Sequence, residues 1–119
     1  MENTFFDLES YENEIALDVN EDVLAGIYGD GIKPTDYLPV EFFFLTDREP
    51  KAKIFADYLS VNFPDYEELR VREYGDDFEI SGTTEPQKMT LESINRWNRI
   101  MWDAGYQHDC KLDGWQVGT

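Results

Sequence analysis

The stretch from Thr90 to Gly105 constrains the fold most. Leu91, Ile94, Trp97, Met101 and Ala104 recur at helical spacing and make a continuous apolar stripe. Thr90 is placed to cap the first turn and Gly105 to end the helix. A helix this one-sided is stable only against another apolar surface, so the rest of the chain must supply one.

Leu38 to Leu45 supplies it. Val40, Phe42 and Phe44 alternate with Glu41, Phe43 and Leu45, which predicts a strand buried on at least one side. Pro50 suits a first helical turn, and Ala52, Phe55, Ala56 and Leu59 follow at helical spacing before Pro64 stops it, predicting a helix over Glu49 to Asn62. Leu69 and Val71 alternate with Arg70, Arg72 and Tyr74. After Gly75-Asp76-Asp77, Phe78 and Ile80 alternate with Glu79 and Ser81, as in a hairpin. Finally His108, Cys110 and Leu112 alternate with Gln107, Asp109 and Lys111, and Asp113-Gly114 reads as a turn closing a short fourth strand. The order βαββαβ with right-handed crossovers predicts an α+β ferredoxin-like sandwich: a four-stranded antiparallel sheet with two helices on one face.

Ahead of this body Ile15, Val19, Val23 and Ile27 recur every four residues, as on a helix running to about Tyr28, although Ile15, Leu17 and Val19 also alternate as in a strand. Gly29-Asp30-Gly31, Pro34 and Pro39 mark a connection. The expected division is an acidic N-terminal helical segment and linker over 1–36 and a ferredoxin-like domain over 37–119. With 119 residues, 41% of them hydrophobic and 15% aromatic, the chain is outside the acidic disordered class and large enough for one core.

The formal net charge is −16, and residues 1–36 contain ten acids against the single base Lys33. A phosphate backbone is bound by releasing counterions to cations, so direct nucleic-acid binding is not expected; a basic protein or peptide segment is the natural partner. The longest apolar run, Phe42 to Leu45, falls far short of the roughly 20 residues of a membrane helix, and the acidic start does not read as a signal peptide. A cytoplasmic protein with no membrane contact is expected.

The one cysteine, Cys110, has no disulfide partner within the chain. A thiol two residues from His108 could be a nucleophile beside its base, but two residues apart on a strand both would share the face of Leu112, where packing is the commoner role. There is no CxxC, no second histidine and no HExxH, so neither metal nor cofactor is expected. Gly26, Gly29 and Gly31 end a helical stripe and do not join a strand to a helix as a phosphate loop would. Phe43 and Tyr74 could stack RNA bases, yet Glu79, Ser81 and Thr83 share their face, where phosphates would approach. That face, with Leu45, Arg70, Arg72 and Glu41 added, is too apolar at its centre to stay bare, so either the N-terminal helix or a protein partner covers it. Trp115 either closes one end of the core or anchors a partner, as tryptophan does at interface hot spots.

From about Val23 to Trp115 the layout, and the ending Leu112-Asp113-Gly114-Trp115 above all, resembles the regulator of ribonuclease E activity B family. Its members combine an N-terminal helix, a ferredoxin-like body, strong acidity and a closing Tyr-Asp-Gly-Trp-Gly-Thr type motif. Asp113, Gly114 and Trp115 match; Leu112 stands at the tyrosine and Gln116 at the second glycine. The resemblance implies a ribonuclease E inhibitor, non-enzymatic, that binds that enzyme outside its catalytic part and restrains RNA degradation. Asp113, Gly114 and Trp115, with Phe43 and Tyr74 on the sheet, are the expected protein-binding residues. Two other readings stay open: an acidic neutraliser of a basic toxin or nuclease, of the immunity-protein or nucleic-acid-mimic kind, and a small-ligand protein or enzyme using Cys110 and His108.

Overall fold

The computed structural model describes residues 3–15 and 17–117. In chain order the elements are α1 (Leu8–Asn13), α2 (Leu17–Gly29), β1 (Tyr37–Leu38), β2 (Glu41–Thr46), α3 (Glu49–Asn62), β3 (Glu67–Tyr74), β4 (Asp77–Thr83), β5 (Gln87–Lys88), α4 (Leu91–Gln107) and β6 (Lys111–Gln116). The mixed α+β expectation is met. Strands β3-β4-β2-β6 form a four-stranded sheet, antiparallel throughout, and β1 pairs with β5 in a second, two-stranded one.

The central strand β2 explains why the sheet has a dry face. Phe42, Phe44 and Thr46 are fully buried on one side, while Glu41, Phe43 and Leu45 are half-buried on the other. The dry face meets both long helices: the Phe44 ring packs edge-on to Phe55 of α3 at 4.7 Å between centroids, and Phe42 lies 6.3 Å from Trp97 of α4. Gly82 on β4 makes room for this, since a Cβ there would sit 2.8 Å from the Phe42 ring and 2.6 Å from Leu69.

The α3 bounds agree with those predicted, with Pro50 in the first turn. Tyr74 and Asp77 pair across the Gly75-Asp76 turn, where Gly75 takes φ +62°. The Thr90 hydroxyl caps α4 by accepting from the Ser93 N–H at 3.2 Å.

Four expectations are corrected. The strand foreseen over Leu38 to Leu45 is broken at Pro39, which has no N–H to give a ladder, and its first residue, Leu38, pairs with Gln87 of β5 instead. Helix α4 runs past Gly105 to Gln107. Gly105 is there for closeness: a Cβ would lie 2.2 Å from the Cys110 carbonyl oxygen and 3.0 Å from the Phe44 ring. His108 therefore caps the helix, and the last strand begins only at Lys111. Asp113-Gly114 is no turn either. Phe43 pairs with Gly114 and Phe44 with Leu112, so Asp113 is the extra residue of a β-bulge and the strand continues to Gln116.

In α2 the buried residues are Asn20, Leu24 and Ile27, while Val19 stays about half exposed. The stripe of period four drifts around a helix of 3.6 residues per turn, so Val19 rides off the buried face. Helix α2 packs against α4 in the helical layer, not over Phe43 and Leu45. Phe6, Leu24 and Ile27 nonetheless join the same core as the sheet.

Candidate interaction groove between α2 and β6

Helix α2 is held against the end of the sheet by one buried amide. Asn20 is 2% exposed; its Oδ1 accepts from Trp115 Nε1–H on β6 at 2.8 Å, and its Nδ2 donates to Oδ1 of Asn95 on α4 at 2.9 Å. An unpaired amide there would cost the chain its desolvation, so the three side chains fix one another.

Beside this link lies an open groove of about 310 Å³. Val19, Val23, Trp102, Leu112 and Trp115 give it apolar walls; Glu14, Asn98, Lys111 and Asp113 are its polar lining. Glu14 and Lys111 are ion-paired, and hydrogen bonds from Lys111 and Ser10 hold the Glu14 carboxyl below the usual carboxylate range. The bulge turns Asp113 outward, exposed, on the groove's rim.

A second polar cluster ties the N-terminal segment down. Asp109, in the left-handed region at φ 57°, is buried and accepts from the backbone N–H groups of Thr4 at 2.9 Å, Phe5 at 3.0 Å and Phe6 at 2.6 Å. Lys51 Nζ donates to the same carboxylate at 2.5 Å and to Asp47 at 2.8 Å. Burial alone would raise the Asp109 carboxyl, but Lys51 and the amides of Phe6, Thr4 and Phe5 outweigh it and leave it below the ordinary value. The tether seats Phe6, fully buried, edge-on against Trp102 at 4.6 Å.

The model of the family described as regulator of ribonuclease activity B matches residues 17–117. The chain belongs to that family. No curated protein matches it. The regulator of ribonuclease activity B span takes in α2 and β6, the two walls of the groove, together with Asp109 and Lys51, and leaves out α1 and the Thr4–Phe6 segment that Asp109 holds.

Of the residues expected to bind protein, Asp113, Gly114 and Trp115 line this groove. Phe43 and Tyr74 do not. Phe43 sits across from Gly114 on the sheet face away from the helices, and Tyr74, half exposed, ends β3 at the opposite edge. That face also has Glu79, 5% exposed and receiving a 2.7 Å hydrogen bond from Arg72 Nε.

The thiol–imidazole arrangement is not formed. Cys110 is fully buried, its Sγ 3.4 Å from the His108 carbonyl oxygen, and burial pushes its pKa up to about 12. The His108 ring turns to the Ala104 carbonyl at 2.9 Å and packs against Phe55 and Tyr58. Among the described residues no group of three or more His, Cys, Asp or Glu side chains converges as metal ligands, and no helix is long and apolar enough to cross a membrane.

Sequence periodicity assigns no site role to Asn20 or Asp109, although each organises a site. An asparagine on the apolar side of a helical stripe was the available sign for Asn20.

Proposed function

We propose that this chain is a non-enzymatic, protein-binding regulator that binds ribonuclease E outside its catalytic part and restrains RNA cleavage. The observation that carries the reading is the family match over residues 17–117. A buried thiol with a pKa of about 12 supports its being no enzyme, since a neutral, enclosed sulfur is a poor nucleophile. The strand order β3-β4-β2-β6, with α3 and α4 following β2 and β4 in the chain, supports the ferredoxin-like assignment of the body over 37–119. A cytoplasmic setting follows from such a partner.

The test is a titration of purified ribonuclease E with this protein, following complex formation by sedimentation and the cleavage rate of a labelled RNA. Saturable binding with slowed cleavage is expected. An unchanged rate at protein excess overturns the reading.

The net charge of −16 favours one rival, the acidic neutraliser. It calls for tight occupation of a basic nuclease site, lost steeply as salt is raised, with no preference for ribonuclease E.

A further inference from the structure

Asn98 on α4 is 6% exposed and lines the α2–β6 groove, yet among the described residues its side-chain amide has no hydrogen-bond partner. No fully enclosed side-chain nitrogen or oxygen lacks a partner among these residues, so the Asn98 amide is not wholly shut off in the groove it lines. An amide offers donors and an acceptor together, which is what a peptide group needs.

The walls are apolar and the rim is acidic. Val19 and Val23 face the groove, and helical geometry puts Asp18 and Asp22, both exposed, along its outer flank; Asp113 stands on the β6 side. A second copy of this chain would bring like charge to like charge.

We propose that this groove seats a basic segment of the protein partner, one apolar side chain lying against Val19, Val23 and Trp115 while the segment's backbone hydrogen-bonds Asn98 and its Lys or Arg side chains face Asp18, Asp22 and Asp113. The proposal rests on the reading of the chain as a ribonuclease E-binding regulator.

The experiment measures binding of the full chain to ribonuclease E for wild type, Val19→Lys, and Ile54→Lys as a charge-matched control at an exposed α3 position outside the groove. Circular dichroism and a melting curve establish that each variant is folded, which exposed positions permit. Val19→Lys should weaken binding at least about tenfold and Ile54→Lys by less than about twofold, as expected for an apolar anchor and a surface position. A benzophenone side chain at position 19, not 54, should cross-link to ribonuclease E. Equal binding by both variants overturns the groove and leaves the regulator reading standing. Failure of wild type to bind overturns both. A concentration-dependent dimer that Val19→Lys abolishes assigns the groove to a second copy and overturns the proposal.

Discussion

The Trp115 indole N–H meets the Asn20 carbonyl oxygen at 2.8 Å, joining the last strand to a helix 95 residues earlier in the chain. Replacing Trp115 with Phe keeps an aromatic ring but leaves that oxygen without its donor. A loss of about 1–3 kcal/mol is expected, the cost of a buried polar group left unsatisfied. Urea unfolding checks it, and an unchanged midpoint would remove the link from the account of how α2 is held.

Gly105→Ala should be among the most damaging single-methyl changes. The new Cβ would lie 2.2 Å from the Cys110 carbonyl, a backbone atom that cannot rotate away. Overpacking of this kind costs about 1–3 kcal/mol or more, so reduced soluble yield or a lower urea midpoint is expected. Wild-type stability would show that α4 and β6 can separate freely.

The Asp109 tether gives the N-terminal segment an acid limit. A carboxyl held lower in the folded chain than in the unfolded one contributes its stability fully above the unfolded value, 3.8, and loses it as pH falls through the folded value. Backbone amide resonances of Thr4, Phe5 and Phe6 should therefore move toward unfolded positions below pH 3.8. In Asp109→Asn they should start displaced at neutral pH and show little of that titration. A wild-type segment still docked at the lowest attainable pH contradicts the tether.

Cys110 should be inert to a disulfide reagent while the protein is native and react fully once guanidinium unfolds it, because the thiol is enclosed and its pKa is near 12. Fast labelling of the native protein would reopen the nucleophile reading.

Most elements were legible where periodicity was bounded by residues that forbid continuation: Pro50 and Pro64 around α3, Gly75 at the hairpin, Thr90 before α4. Legibility failed where one residue type serves two geometries. Asp-Gly suits a turn or a bulge, and only the pairing of Phe43 with Gly114 and of Phe44 with Leu112 decides between them. Gly105 suits a helix end or a close approach, and the carbonyl that requires it, that of Cys110, lies beyond the helix in the link to β6. At the candidate site, Asp113, Gly114 and Trp115 were legible as a cluster in sequence. Asn20 and Asn98 were not, because their significance lies in what faces them across the fold.

The amides of Thr4, Phe5 and Phe6 wait on a carboxylate more than a hundred residues downstream. During synthesis, at about 5–20 residues per second, that carboxylate emerges many seconds after the amides do. The sheet waits too, since its inner strand β2 gains its second neighbour only when β6 is made. The acidic front of the molecule is thus untethered through most of translation, and docking it is among the last acts of folding.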